Sequence, residues 1–319
     1  MKGKSRLQLQ KATRAILFVN HKKSQARVLS DEILKELAAL NIDADVYSFG
    51  GKTNPLGGKD GSLGKGFDVA ISLGGDGTVL SAARVMSPLG IPIFPINLGT
   101  FGFIAEVQPL EWREVFGRWL NGKANLSRRL MLEVAVKRGE REIQQGCCLN
   151  DAIISFSGIA KIIKLHLSFG GKPGEESGST KAGLKLMSYR SDGLIISTPT
   201  GSTAYSSAAG GPIVDPEIEA MVLSPICPFV LTQRPLLLPS NEEVIVELDE
   251  KQQSGVHLTL DGQVTTKLKR GDRVHFKKAP YSCLLIESGR KGFYKALRTK
   301  LSWADEGEQK KEPGREKSD

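Results

Sequence analysis

The sequence has few of the residues that build metal centres and disulfide frameworks. Its 319 residues include four cysteines, at positions 147, 148, 227 and 283, and no two of them are spaced as a CxxC pair. The four histidines lie far apart in the chain. Structural zinc sites need closely spaced ligands and disulfide scaffolds need many cysteines, so the sequence indicates neither. Cysteine usage of this kind is typical of a reducing compartment, and we expect a cytoplasmic protein.

Long apolar runs are also missing. The longest are short, such as Ala15 to Val19 and Val69 to Ile71, whereas a membrane-spanning helix needs about 20 apolar residues. The basic N-terminus is followed by a five-residue apolar run without a small-residue cleavage site. We therefore expect neither a membrane segment nor a secretory signal.

Aromatic residues are scarce, whereas positive charge is plentiful. The formal net charge is +9 and aromatic residues make up 6% of the chain. The lysines and arginines are spread along the sequence and are not interleaved with aromatic residues, which single-stranded nucleic acids need as stacking platforms. A basic surface suits anionic small molecules equally well. We expect no nucleic-acid partner, although charge alone does not decide this.

Strand and helix patterns alternate in the first third of the chain. Strands are predicted at 15–19, 43–49, 67–73 and 91–98, and helices at 24–40, 78–86 and 109–120. The helix at 24–40 repeats its apolar residues with a period near 3.6. Alternation of this kind predicts a parallel sheet with helices on both faces, a Rossmann-like α/β domain that we assign to residues 1–126.

After Arg128 the pattern becomes mainly β, and residues 127–286 are assigned to a second, β-rich domain. A hairpin is predicted from 130–137 and 142–148, with further strands at 162–169, 193–197, 243–248, 255–260 and 273–276. Residues 170–183 are rich in Gly, Ser and Lys, which is typical of a mobile loop. A helical pattern returns at 292–303, and the polar tail at 305–319 is expected to be disordered.

The strongest short motif is Leu73-Gly-Gly-Asp-Gly-Thr78. It follows a strand and opens a helix, the position at which α/β folds bind phosphates. Its glycines lack Cβ atoms, so backbone N–H groups can approach a polyphosphate. Asp76 is a carboxylate placed where anions should gather, which costs electrostatic energy unless it serves as a base or a magnesium ligand. The alternative is a tight turn in which Asp76 caps the helix.

A longer motif runs from Asp192 to Gly211. A strand leads into a turn crowded with hydroxyls, and no charged residue occurs between Gly193 and Pro212. A solvated Ser/Thr-rich loop is the alternative, but such loops rarely lack charge over that length. Two further polar pairs, Asn150-Asp151 and Asp261-Gly262, follow apolar strands and alone read as turns at strand ends.

Together these segments resemble the NAD kinase family. The matching segments, in family order, lie at 74–78, 97–103 (Asn-Leu-Gly-x-x-Gly-Phe), 150–151, 192–205, 210–213, 234–235 and 297–303. Lipid kinases of the diacylglycerol type and phosphofructokinases share versions of the first segment, whereas 192–205 is highly specific. The resemblance implies phosphorylation of the 2′-hydroxyl of NAD's adenosine ribose by ATP with Mg²⁺ or another divalent cation, giving NADP. It also implies that residues 287–304 return to the first domain.

The resemblance assigns roles to individual residues. Asp76 matches the catalytic aspartate, which would accept the proton of the attacking hydroxyl. The ATP phosphates would lie on Gly74, Gly75, Gly77 and Thr78, with no protein cluster holding the metal directly. Contacts with NAD are assigned to Asp76, Gly77, Phe103, Asn150, Asp151, Lys161, Arg190, Asp192, Thr203, Ala204, Tyr205, Ser206, Ser207, Ala208 and Gln263.

Three departures from the family pattern limit these assignments. Asp151 stands where the family usually has Glu, and Ala208 where many members carry Ser, which puts one hydrogen bond to the substrate in doubt. The 170–183 loop resembles an insertion. The family commonly assembles into homodimers or homotetramers, and inorganic polyphosphate is an alternative phosphoryl donor. Three rival functions stay open at this point: a lipid kinase, a non-catalytic NAD(H) or NADP(H) sensor, and a nucleic-acid-binding protein.

Overall fold

The computed structural model describes residues 12–49, 66–99, 102–156, 158, 162–170, 183–230, 232–252, 255–288 and 292–301. Most of the predicted 170–183 loop, all of the predicted 305–319 tail and Lys161 lie outside these ranges. No helix within them is long and apolar enough to cross a bilayer.

The first part of the chain forms four parallel strands with helices on both faces. The strands β1 (Arg14–Asn20), β2 (Asp43–Phe49), β3 (Val69–Gly74) and β4 (Ile93–Asn97) are arranged in the order β2-β1-β3-β4. Alternate residues of a strand point to opposite faces. Leu17 therefore packs with α1 (Ser24–Ala39) and α3 (Trp112–Leu120), whereas Phe18 packs with α2 (Asp76–Met86). The predicted α/β layering is confirmed.

Two long antiparallel strands connect this part to the rest of the molecule. They are β5 (Asn125–Arg138) and β16 (Arg273–Glu287). The C-terminal half of β16 pairs with β4 through Leu285 and Ile93, and its N-terminal half pairs with β13 (Val244–Leu248). One sheet therefore runs through both halves of the protein. Its remaining strands are β6 (Arg141–Cys148), β8 (Ile163–Phe169) and β9 (Lys185–Ser191).

A second sheet, antiparallel throughout, packs on the β-rich end of the first. Its strands are β7 (Asp151–Phe156), β10 (Gly193–Ser197), β11 (Ala220–Ile226), β12 (Leu236–Pro239), β14 (Val256–Leu260) and β15 (Val264–Lys267), in the order β12-β11-β10-β7-β14-β15. The two sheets share one apolar core, in which Leu165 and Val246 of the first meet Ile154, Leu194 and Leu258 of the second. The short helix α4 (Tyr205–Ala208) follows β10, and α5 (Gly292–Lys300) follows β16.

The predicted fold class, α/β plus β with a C-terminal helix that returns to the first half, is confirmed. The sequence patterns missed β7, β9, β11, β12 and β15, and placed the end of β16 at Phe276 rather than at Glu287. The division into domains at residues 126 and 286 stays a prediction. Both positions lie inside strands that the two halves share, β5 and β16.

Candidate active site

Asp76 is the first residue of α2, and its carboxylate is held by three consecutive backbone N–H groups. Its Oδ2 accepts from Phe103 N at 3.0 Å, and its Oδ1 accepts from Ile104 N at 3.2 Å and Ala105 N at 2.9 Å. A carboxylate oxygen offers about two acceptor sites. Within the described chain Oδ1 uses both, whereas Oδ2 uses one. The half-buried carboxylate therefore has a fixed orientation and one acceptor position left, on Oδ2.

Two glycines make this arrangement possible through close approach. A Cβ atom on Gly102 would overlap the Asp76 carboxylate, and one on Gly74 would overlap the Thr78 hydroxyl. At Gly75, by contrast, an added Cβ would meet no described atom within 4 Å. The glycines at 74 and 102 are therefore needed for packing, and the backbone at Gly75 lies next to open space that a ligand can approach.

The turn between β14 and β15 places a second aspartate at the site. Asp261 and Gly262 have φ values of 50° and 65°, and Gln263 N donates to Leu260 O at 2.9 Å, which is the geometry of a type I′ turn. The turn predicted here is confirmed, but the side chain of Asp261 is fully buried. It accepts from the N–H groups of Leu149, Asn150 and Asp151. The sequence did not reveal that Asp261 binds the 149–151 segment, because an Asp-Gly pair after a strand predicts only a turn.

The two neighbouring aspartates are protonated more readily than usual. Burial, together with the negative charge of Asp261, raises the pKa of Asp151 to about 7. Burial also raises the pKa of Asp261, and the opposite charge of Arg84, with Nη2 3.6 Å from Oδ2, partly offsets this. Asn150 directly precedes Asp151 in sequence, and its buried Oδ1 accepts no hydrogen bond from any described residue. An unsatisfied acceptor of this kind costs about 1–3 kcal/mol, so Asn150 is positioned to receive a donor from a ligand.

The hydroxyl-rich turn after β10 packs directly on Asn150. Thr198 N donates to Asn150 O at 2.9 Å, and Thr198 Oγ1 donates to Leu149 O at 2.6 Å. A Cβ atom on Gly201 would overlap the backbone of Asn150. Two segments that carry the family resemblance, 150–151 and 192–205, are therefore in contact.

Several hydroxyls of this turn have internal partners. Ser206 Oγ lies 3.0 Å from Ser224 Oγ, and Ser207 Oγ donates to Ala204 O at 2.8 Å. The side chain of Tyr205, in contrast, is 47% exposed. The ring of Tyr205 is therefore accessible to a ligand, whereas the hydroxyls of Ser206 and Ser207 already have hydrogen-bond partners within the protein.

Arg190 and Asp192 lie apart from this contact. Both residues precede β10, whereas Thr198 follows it. Because β10 has five residues, its two ends are about 17 Å apart. The guanidinium of Arg190 lies over the ring of Phe229, 4.9 Å from its centroid. Within the described chain, these two residues are not brought to Asp76 or Asn150.

Gln263 joins the two halves of the site. Its Nε2 donates to Gly77 O at 2.8 Å, and its Oε1 accepts from Ser81 Oγ at 2.8 Å and Arg84 Nη2 at 2.6 Å. All three partners belong to α2, the helix that begins with Asp76. The turn at 261–263 therefore contacts α2 through Gln263 and the 149–151 segment through Asp261.

The C-terminal helix α5 packs against Phe103, one of the residues whose N–H groups hold Asp76. The rings of Phe103 and Phe293 are 6.3 Å apart, and Lys300 Nζ lies 4.8 Å from the Phe103 centroid. Tyr294 Oη donates to Asp215, four residues beyond Gly211. Phe103 thus contacts α5.

Two segments of the chain match two domain models of one protein family. Residues 8–124 match the ATP-NAD kinase N-terminal domain, and residues 180–288 match the ATP-NAD kinase C-terminal domain. An NAD kinase of Treponema denticola is 40% identical over 291 residues, covering 91% of this chain and 96% of the relative. An NAD kinase of Geobacter sulfurreducens is 41% identical over 254 residues, covering 78% and 85%.

Two solved structures share the fold. The crystal structure of yeast NADH kinase complexed with NADH has a TM-score of 0.77 at 20% identity, covering 95% of this chain and 91% of that one. An NAD kinase from Archaeoglobus fulgidus in complex with ATP has a TM-score of 0.66 at 23% identity, covering 92% and 99%. At these identities the likeness supports the fold alone.

Proposed function

The chain belongs to the NAD kinase family, and from that membership we propose that it transfers the γ-phosphoryl group of ATP to the 2′-hydroxyl of NAD's adenosine ribose, giving NADP. The relatives at 40% and 41% identity are NAD kinases and are matched over most of their length. The reaction is in-line phosphoryl transfer, in which positioning and charge stabilisation matter more than covalent help.

The observation that carries the proposal is the free acceptor position on Asp76 Oδ2. The carboxylate is fixed by the N–H groups of 103–105 and lies at the N-terminus of α2, so it needs no reorganisation before it accepts a proton. We propose that Oδ2 takes the proton of the 2′-hydroxyl as the ribose oxygen attacks the γ-phosphorus. General-base catalysis of this kind contributes typically about 10²–10⁴-fold.

The dinucleotide would lie between α2 and the contact of 150–151 with 198–205. Asn150 Oδ1 offers a buried acceptor, the buried Asp151 follows it in sequence, and Tyr205 offers an exposed ring. Phe103, Thr203, Ala204 and Ala208 are proposed to complete the pocket wall. The ATP phosphates would approach the open backbone at Gly75. Roles for Arg190, Asp192 and Lys161 stay predictions.

The described residues do not themselves build a site for the divalent cation that ATP-dependent kinases use. No group of three or more His, Cys, Asp or Glu side chains in the described ranges could hold a metal. The acceptor sites of Asp76 are also largely used by backbone N–H groups. We therefore propose that Mg²⁺ or another divalent cation arrives bound to the ATP phosphates. The roles proposed for Asp76, Asn150 and Tyr205 do not depend on it.

A single assay tests the proposal. The purified protein is incubated with NAD, ATP and Mg²⁺, and NADP is measured with an NADP-specific dehydrogenase. NADP that accumulates in proportion to enzyme supports the proposal. Dinucleotide binding without product would instead indicate a sensor, and product from diacylglycerol would indicate a lipid kinase. Parallel reactions with polyphosphate identify the donor, and light scattering of the same sample tests the predicted homodimer or homotetramer.

A further inference from the structure

The 261–263 turn reaches both sides of the proposed catalytic centre from one short piece of backbone. Asp261 accepts the N–H groups of Leu149, Asn150 and Asp151, which fixes the segment proposed to bind the dinucleotide. Two residues later, Gln263 is bonded to α2, whose first residue is Asp76. Gly262 between them has a positive φ of 65°, so the spacing of the two side chains is set by a rigid type I′ turn.

The amide of Gln263 is used as both donor and acceptor. Its Nε2 donates to the carbonyl of Gly77, the residue next to Asp76, and its Oε1 accepts from Ser81 and Arg84 one and two helical turns further on. A side chain that only donates, or only accepts, cannot satisfy both sets of partners. Glutamine is therefore specifically suited to this position, since Glu would place an acceptor against the Gly77 carbonyl.

Arg84 connects the two contacts of the turn. Its Nη2 lies 2.6 Å from Gln263 Oε1 and 3.6 Å from Asp261 Oδ2, and its side chain is 10% exposed. Since Arg84 projects from α2, the helix is held by two residues of the turn at once. Movement of α2 relative to the 149–151 segment would have to break these bonds.

We propose that Gln263 is a positioning residue for phosphoryl transfer, which sets the distance between Asp76 and the dinucleotide held at Asn150 and Asp151. This inference rests on the proposed function, and it differs from the role that the resemblance implies, a direct contact with NAD. A displacement of about 1 Å at a reacting centre can cost about 100-fold in rate. A positioning role therefore acts on turnover, whereas a ligand contact acts on affinity.

The test compares Gln263→Ala and the near-isosteric Gln263→Met with a matched control, Gln252→Ala. Gln252 is also half-buried and also bonds a backbone group, accepting from Lys164 N at 3.0 Å, but it lies at the other end of β14. For each variant, kcat and the KM values for NAD and ATP are measured, together with the Kd for NAD. Thermal unfolding identifies variants that fail to fold, and Gln263→Met replaces Gln263→Ala in that case.

The expected result is a loss of about 10- to 100-fold in kcat for both Gln263 variants, with the KM and Kd for NAD within about twofold of the parent and Gln252→Ala unchanged. Ser81→Ala combined with Gln263→Ala is expected to cost less than the product of the two separate losses, because both remove one shared bond. A rise in the Kd for NAD at unchanged kcat, or an unchanged kcat, would overturn the inference while the parent still makes NADP. A parent that makes no NADP would instead overturn the proposed function.

Discussion

Two aspartates at the site are held in the same way and differ in what surrounds them. Asp76, in the α/β half, accepts three consecutive N–H groups of residues 103–105, and Asp261, in the β-rich half, accepts three consecutive N–H groups of residues 149–151. Asp76 is half-buried beside open glycine backbone, whereas the Asp261 side chain is fully buried beside Arg84. The same local hydrogen bonding thus presents one carboxylate to a substrate and encloses the other.

The difference shows that backbone donors alone do not define a chemical role. An enclosed carboxylate can organise the chain around it but cannot exchange a proton with a substrate. A partly exposed one, fixed by the same donors, can do so without losing its orientation. The experiments that follow would separate these two roles.

Replacing Asp76 should have the largest effect, and mainly on turnover. Asp76→Asn keeps the size of the side chain and one oxygen that accepts from Ile104 and Ala105, but it removes the base and places an amide NH2 group against the Phe103 N–H. We expect kcat to fall about 10²–10⁴-fold, with the Kd for NAD nearly unchanged and the free energy of unfolding lowered by about 1 kcal/mol for the lost hydrogen bond. Steady-state kinetics, NAD titration and urea unfolding measure the three quantities. An equal loss of binding and turnover would show that Asp76 is structural.

Replacing Asp261 should reverse that pattern. Asp261→Ala leaves the buried Arg84 without its charge partner and three N–H groups without an acceptor, which should lower the free energy of unfolding by about 3–5 kcal/mol. Asp261→Asn should lose less, because its amide oxygen still accepts. Urea unfolding of both variants checks the order. If Asp261→Ala lowers the free energy of unfolding no more than Asp76→Ala does, the burial of Asp261 beside Arg84 does not stabilise the fold.

Two glycine substitutions sharpen the same contrast. A Cβ on Gly201 would meet the backbone of Asn150, whereas a Cβ on Gly102 would meet the Asp76 carboxylate, a side-chain group that can be displaced at the cost of its hydrogen bonds. Overpacking costs about 1–3 kcal/mol, so Gly201→Ala should lose stability near the top of that range. Gly102→Ala should lose turnover with a smaller loss of stability. Gly117→Ala, at a helical position with open space around it, is the control and should be neutral or stabilising.

The last expected effect is a difference in the pH dependence of stability. The pKa of Asp151 is raised to about 7, so the folded state holds this proton more tightly than the unfolded chain does. Its contribution to the free energy of unfolding therefore falls as the pH rises from about 4 to about 7, by at most about 1.4 kcal/mol per pH unit. Above about pH 7 the contribution is constant.

Asp151→Asn should remove this slope, so that the variant gains stability relative to the parent between pH 5 and 7. Glu106, whose pKa burial and the neighbouring Glu287 also raise to about 7, gives a matched comparison in the other half, through Glu106→Gln. Urea unfolding at several pH values measures both differences. Parallel pH curves for the parent and Asp151→Asn would contradict the expected titration.

The sequence predicted those strands and helices whose pattern is visible in adjacent residues. The buried strands β1, β3 and β4 are mainly apolar, so their patterns could be read directly. Strand β7 was missed because it starts at Asp151, a polar residue, and β16 was cut short because Lys277, Lys278 and Pro280 interrupt its apolar pattern. Lys277 stays in the strand because it pairs with Glu133 of β5, a partner 144 positions away that the local sequence does not reveal.

The site was predictable to the same extent. The glycine motif and the 192–211 motif were singled out because each carries its chemistry in adjacent residues, whereas the 150–151 pair was assigned to the site only through the family resemblance. Arg84 and Asp261 were missed as a pair, since an arginine inside a helix and an aspartate in a turn read as ordinary until the fold brings them together. Residue types alone also could not show that the Gln263 amide bonds α2.

The long strands β5 and β16 restrict how the protein can move. Because β16 pairs with β4 at one end and with β13 at the other, the two halves cannot swing about a flexible linker without breaking backbone hydrogen bonds. Bending in this part of the sheet is easiest where the β5–β16 pairing is irregular, between Lys278 and Ser282. Opening the two halves about a hinge would therefore disrupt the sheet that they share.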